Sequence, residues 1–333
     1  MTIDLAFVWA GLIAFAVLAY VVLDGFDLGI GILFPVFKEE EQRDDMMNSV
    51  APVWDGNETW LVLGGGGLFA VFPLAYAIVM PALYVPIIAM LLGLVFRGVA
   101  FEFRWKTRRG KFLWDWAFAA GSIVAALSQG LALGALVQGI PVSGRAYAGG
   151  WWDWLTPFSV LTALALTIGY GLLGATWLIM KSHGPLQRKA YALARWLAIA
   201  TLAAIGIVSL WTPFLAPLYW QRWFDWPAIL YAAPVPLLVT ICALILFRGI
   251  AHEKERSPFL ATLGLFVLSF IGIGISFYPY IVPPSITIWQ AAAPATSMEF
   301  LLYGAVVLLP VILAYTAYSY WVFRGKTSGG GYH

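Results

Sequence analysis

LAFVWAGLIAFAVLAYVVLDGFDLGIGILF, residues 5–34, decides how the rest of the chain is read. Its only charged side chains are Asp24 and Asp27. A helix needs about 20 mostly apolar residues to cross the hydrocarbon core of a bilayer, and this run is longer. It shows no alternation of period two, so it reads as a helix and not as a barrel strand. No basic residue precedes it, and it runs on into Asp24-Gly-Phe-Asp27 without a small-residue cleavage site. It is therefore expected to be a retained span and not a cleaved leader.

Working outward, eight further apolar stretches follow: 51–73, 78–100, 114–138, 157–180, 192–213, 228–250, 259–280 and 300–323. The 333 residues are 62% hydrophobic and 11% charged, against about 25% charged in soluble domains. So little polar surface cannot cover a soluble enzyme. The near-balance of 19 bases and 17 acids excludes a broad basic face for nucleic acid and a disordered polyelectrolyte. One cysteine, Cys242, excludes a disulfide framework. The sequence predicts an all-α polytopic membrane protein with about nine transmembrane helices.

Nine spans place the termini on opposite sides, and basic loops mark the cytoplasm. Lys38, Arg43, the cluster Arg104 to Lys111, Lys181, Arg188, Lys189, Arg248, Lys254, Arg256, Arg324 and Lys326 fall on one side. Arg145 and Arg222 fall on the other. The N-terminus is thus expected outside and the C-terminus in the cytoplasm. Trp151, Trp152, Trp154, Trp220, Trp223 and Trp226 crowd the loops of the outer side, where indoles suit the headgroup level. Phe96-Arg-Gly-Val-Ala-Phe-Glu102 and Phe247-Arg-Gly-Ile-Ala-His-Glu253 end the third and seventh spans. Prolines pair in each, Pro81 with Pro86 and Pro234 with Pro236. A duplicated four-helix unit plus one last helix accounts for this, and so does chance.

Ionisable groups at membrane depth are costly and need a partner, a proton or water. Asp24 and Asp27 share one helix face, where two negative charges repel. They suit a proton relay or a hydrated path; they equally suit a cap or an ion pair with Arg97. Gly25 and Gly29 beside them allow close approach of another helix. Trp54-Asp-Gly-Asn-Glu-Thr-Trp60 opens the second span, with Asp55 and Glu58 one turn apart; an acidic helix start is the plainer account of Asp55. Trp54 and Trp60 suit interface anchors. Gly64 to Gly67 suit a close crossing or a kink. Arg97 either snorkels to the interface or is the counter-ion of Asp24, Asp27 or Glu58. Glu299 reads as a helix-start acid. His183, His252 and His333 all fall in loops or the tail, so the spans offer no axial pair for a b-type haem, and no metal site is expected. Met180 and Met298 read as gap-filling apolar residues.

Asp24-Gly-Phe-Asp-Leu-Gly29, Asn48-Ser-Val-Ala-Pro-Val-Trp-Asp-Gly-Asn-Glu-Thr-Trp60 and Phe96-Arg-Gly-Val-Ala-Phe-Glu-Phe-Arg104, in that order and spacing, resemble subunit II of cytochrome bd-type quinol oxidases. The Asn-Glu-Thr-Trp form resembles the cyanide-insensitive branch. The resemblance implies a multi-pass subunit of the bacterial inner membrane, built as two four-helix bundles plus one extra helix. The parts would be 1–140 with the acidic motifs, 141–280, and 281–333 with the last span and tail. It implies a complex that oxidises quinol and reduces O2 to water. Haems b and d and the quinol site would lie in a partner subunit I, and this chain would carry no redox centre. Small accessory subunits, membrane lipid and a structural quinone accompany some relatives. By resemblance, Asp24, Asp27 and Asp55 fall on a proton route, with Glu58 beside them lacking a universal counterpart. Trp60 falls by an apolar O2 route. A proton-coupled secondary transporter is the competing class, since paired intramembrane acids and a repeat also suit it. A co-purifying haem-bearing partner discriminates the two.

Overall fold

The computed structural model describes residues 4–327; His333 lies outside them. The chain is helical almost throughout: α1 Leu5–Leu33, α2 Glu40–Val50, α3 Trp54–Val71, α4 Pro73–Ala82, α5 Tyr84–Lys106, α6 Lys111–Gln138, α7 Pro157–Lys181, α8 Gly184–Trp211, α9 Pro217–Phe224, α10 Ile229–Ala232, α11 Pro234–Ala251, α12 Ser257–Phe277, α13 Ile288–Ala291 and α14 Ala295–Val322. Two small antiparallel hairpins complete it, β1 Val142–Ser143 with β2 Ala146–Tyr147, and β3 Tyr280–Val282 with β4 Ile286–Thr287.

Eight helical segments among the described residues are long and apolar enough to cross a membrane: α1, α5, α6, α7, α8, α10 with α11, α12 and α14. The ninth expected span is α3. Its 18 residues reach about 27 Å at 1.5 Å per residue. Its acidic opening and four glycines lower its hydropathy, not its reach. The stretches 51–73 and 78–100 are divided differently from expectation. The chain breaks at Phe72 and again at Leu83, which leaves α4 between the breaks and starts α5 at Tyr84. Pro73 opens α4 and Pro86 lies in the first turn of α5. A proline lacks the N–H a helix interior needs and disfavours helical backbone in the residue before it. Pro81 and Pro86 thus flank a break instead of sharing one helix. The seventh span repeats this, with α10 ending just before Pro234 opens α11.

α1, α3, α5 and α6 pack as one group, and α7, α8, α11 and α12 as another; α7 joins them by packing on α1 and α6. α14 rests on α1 and α3, and only Met298 of it is buried. The α1–α7 crossing is tight enough to require glycine. A Cβ on Gly29 would stand 1.9 Å from the Tyr170 carbonyl oxygen, and one on Gly174 would stand 2.4 Å from the Gly29 carbonyl carbon. The close approach expected at Gly25 and Gly29 is made by α7.

The two ends of the helix array differ in chemistry. At one end Arg43 reaches Asp115, Arg104 reaches Asp44 and Asp115, and Lys189 donates to the Val36 carbonyl; this is the basic end. At the other, both hairpins, α4 and α13 pack together, and Trp289 Nε1 donates to Asp4 Oδ2 over 2.8 Å. That bond holds the Asp4 carboxyl below its usual range.

Candidate functional site

The polar residues of the first bundle converge on one arginine. Residues 24 and 27 are three apart on α1 and face the same way. α5 presents Arg97 to them, and α3 presents Glu58. Arg97 Nη1 lies 2.8 Å from Asp24 Oδ1 and 2.6 Å from Glu58 Oε1, and Nη2 lies 3.6 Å from Asp27 Oδ2. Arg97, Asp24 and Asp27 side chains are 0% exposed; Glu58 is 25% exposed. Of the two roles open to Arg97, the structure selects the counter-ion. It does not snorkel. Its guanidinium also sits 5.7 Å from the centre of the Trp54 ring, which stacks on Phe101 at 4.8 Å. Trp54 is thus packed under a charge instead of anchoring at a lipid interface.

Asn57 completes the cluster. Its Nδ2 donates to Asp27 Oδ2 at 2.7 Å and to the Leu23 carbonyl at 3.2 Å, and its Oδ1 accepts from the Tyr320 hydroxyl at 2.9 Å. α14, otherwise thinly attached, is pinned to the site through Tyr320. Three carboxyls therefore face one guanidinium. Both oxygens of Asp24, Oδ1 of Asp27 and two nitrogens of Arg97 make no hydrogen bond among the described residues. A buried set with more acid than base can take up and release protons at fixed positions. One cation alone cannot balance it.

Asp55 stands apart. It is one turn before Glu58 on α3 but is exposed. It lines a cavity of about 810 Å³ with Trp54, Asn57, Glu102, Lys106 and Tyr320. Glu58 turns inward to Arg97 while Asp55 turns to the open side of α3, α5 and α14. Trp60 is 2% exposed, edge-on to Phe15 at 5.7 Å, and its Nε1 has no partner among the described residues. Gly64 and Gly67 face α1 at Val17 and Ile13, whereas Gly65 and Gly66 border open space. Glu299 is exposed.

Asn57, Tyr320, Tyr20, Gln129 and Tyr170 were not singled out by sequence reasoning. The available signal was the same as for the acids: a lone hydrogen-bonding side chain in an apolar run. Gln129 is the clearest case, the first amide in α6. His183 and His252 are exposed at the basic end, and among the described residues no histidine lies inside the helix array. Among the described residues no group of His, Cys, Asp and Glu has a metal-holding arrangement.

The chain is similar to known proteins over nearly its whole length. The model of the family described as cytochrome bd terminal oxidase subunit II matches residues 5–323. Cytochrome bd-I ubiquinol oxidase subunit 2 of Escherichia coli (strain K12) is 30% identical, over 97% of this chain and 95% of that one. Cytochrome bd ubiquinol oxidase subunit 2 of Bacillus subtilis (strain 168) is 27% identical, over 96% of each. A chain of the bd oxidase from Geobacillus thermodenitrificans superposes with a TM-score of 0.76 at 17% identity, over 97% of this chain and 100% of that one, which shows a shared fold. A multi-pass helical chain of this extent, matched across all its spans, belongs to the cytochrome bd terminal oxidase subunit II family.

Proposed function

We propose that this chain is the scaffold that brings protons to the haem-bearing subunit I of a bacterial quinol:O2 oxidoreductase. Family membership decides between an oxidase subunit and the transporter reading. The observation that carries the proton role is the graded burial of its acids. Asp55 is exposed on the cavity, while Glu58, a quarter exposed, and Asp24 and Asp27, fully buried, surround Arg97. A proton taken up at Asp55 passes to Glu58 and then to Asp24 Oδ1, which shares Arg97 Nη1 with Glu58 Oε1. Arg97 keeps its own proton, as guanidinium does in proteins, and holds the carboxyls in place. Asn57 orients Asp27.

The basic loops set the orientation: the N-terminus outside, the C-terminus and the basic end in the cytoplasm, where protons would enter. The partner would cover the open side of α3, α5 and α14. Asp55, Glu102 and Thr59 are exposed there, and such groups facing lipid would be costly. Bundles spanning 1–140 and 141–280, with α14 in the 281–333 part beside the partner face, suit that reading. Trp60 and the open Gly65–Gly66 surface suit an apolar path for O2.

Asp55→Asn tests the reading. Quinol-dependent O2 consumption by the purified complex should fall while the haem spectrum stays intact. Unchanged turnover at saturating quinol removes Asp55 from the route. Purification of the chain alone and colourless would overturn the partner assignment.

A further inference from the structure

A second line of polar side chains leaves the acid cluster in a direction the proton route does not use. Tyr170 on α7 donates its hydroxyl to Gln129 Oε1 on α6 over 2.7 Å, and Gln129 Nε2 donates to the Tyr20 hydroxyl oxygen on α1 over 2.8 Å. Tyr20 stands one turn before Asp24 on the same helix, within reach of its carboxyl. Tyr20 is 3% exposed and Tyr170 is 0% exposed.

The bonds have one direction. Gln129 spends its carbonyl on Tyr170 and its N–H on Tyr20, so the Tyr20 oxygen is already an acceptor. Its own proton is then the group it has left to give. Neither oxygen of Asp24 makes a hydrogen bond among the described residues, and a buried carboxyl gains from such a donor. The line cannot itself conduct. An amide carries no titratable proton, and Tyr170 ends against the ring of Phe266 at 5.7 Å with no opening to solvent. The tight α1–α7 crossing holds Tyr170 in place, since a Cβ on Gly25 would stand 2.7 Å from its ring.

We propose that Tyr20, Gln129 and Tyr170 are positioning residues for Asp24. The donor chain, anchored in the second bundle, aims the Tyr20 hydroxyl at the carboxyl and fixes which oxygen faces Arg97. This rests on the proton role of Asp24. The other groups around that carboxyl are Asp27 on α1, Glu58 on α3, Arg97 on α5 and Tyr320 on α14.

The test uses the purified oxidase complex with haem content measured in every variant. The infrared carboxyl band of Asp24 is assigned by its loss in Asp24→Asn. Tyr20→Phe and Gln129→Leu should each shift that band and lower kcat by about tenfold, with KM for quinol unchanged. The double variant should be no worse than Tyr20→Phe alone, because both act through one hydroxyl. In an Asp24→Asn background neither should have further effect. Tyr170→Phe, which only frees the Gln129 amide, should give a smaller loss in the same direction. An impaired Asp24→Asn beside a normal band and normal kcat in Tyr20→Phe overturns the inference and leaves the proton role standing. Full activity in Asp24→Asn overturns the proton role itself. Loss of haem in Gln129→Leu together with an unshifted band in Tyr20→Phe makes the line a packing feature and also overturns the inference.

Discussion

Arg97→Met removes the one cation that, among the described residues, pairs with Asp24, Asp27 and Glu58, and keeps much of the side-chain volume. The structure sets the size of the effect. Arg97, Asp24 and Asp27 are wholly buried, with contacts of 2.8 and 3.6 Å to the two aspartates. Glu58, a quarter exposed at 2.6 Å, is partly screened by solvent and counts for less. Breaking a buried ion pair by deleting one partner costs ~3–5 kcal/mol, mostly because the other charge is left uncompensated. At about 1.4 kcal/mol per tenfold, the folded-to-unfolded ratio should fall by roughly two to four orders of magnitude. Adding Asp24→Asn removes one stranded acid and should recover ~1 kcal/mol or more. Denaturant unfolding of the purified complex, followed by the haem spectrum, reads both values. If Arg97→Met unfolds within ~1 kcal/mol of the wild type, or if Asp24→Asn brings no recovery, the cluster is not held by this charge balance.

Four further outcomes are expected. Gly29→Ala forces a methyl against the Tyr170 carbonyl and should sharply lower complex yield, whereas Gly206→Ala on α8, with nothing within 4 Å, should not; similar yields would place the α1–α7 distance elsewhere. Lys181→Met removes the ammonium that binds the carbonyls of Phe323 and Gly325, and trypsin should then cut faster at Arg324 and Lys326. Lys326 and Gln187 hold the Glu255 carboxyl below its ordinary 4.5. A lowered carboxyl stabilises the folded form above its unfolded value, and that contribution is lost as pH falls through the folded one. The protection factor for hydrogen exchange at Thr327, taken relative to the intrinsic rate at each pH, should therefore be higher at neutral pH and fall as acid titrates that carboxyl. Arg248→Gln, at the repeated motif of α11, should leave the unfolding midpoint near wild type; a fall matching that of Arg97→Met would give both arginines one helix-end role.

The spans were legible because lipid leaves the chain few options. Every backbone polar group must be satisfied within a helix, so long apolar runs translate directly into α1, α6, α7, α8, α12 and α14. The breaks at Phe72 and Leu83 were not legible. Prolines mark where a helix is weak, but whether the chain kinks or starts afresh depends on what packs there, and here α4 is claimed by both hairpins and α13. Within the site, Asp24, Asp27, Glu58 and Arg97 were legible as costly groups, and an ion pair with Arg97 was one of two open readings, but the choice between them was not legible. Spacing along one helix says nothing about which face of α5 meets α1. Asp55 and Glu58 illustrate the limit: one turn apart, one ends exposed and the other against Arg97. Gln129 and the tyrosines were hidden because a neutral polar group costs far less than a charge in an apolar run.

The repeated motif separates what a sequence pattern conserves from what chemistry decides. Phe96-Arg-Gly-Val-Ala and Phe247-Arg-Gly-Ile-Ala both lie toward the ends of helices that begin at a proline break, so these two helices are alike in backbone. The arginines are not. Arg97 is buried and Arg248 is exposed. The difference lies in the helices they face. α1 carries two acids in its buried half, and α3 adds Glu58, while α8 and α12, on which α11 packs, contain no acid at all. A guanidinium enters the protein interior only where carboxyls offset its desolvation, so the second-half arginine stays outside. The first bundle is thus the one whose acids hold an interior guanidinium, as the proposed proton role requires. In the positioning proposal the second, with Tyr170 on α7, supplies a neutral support for it.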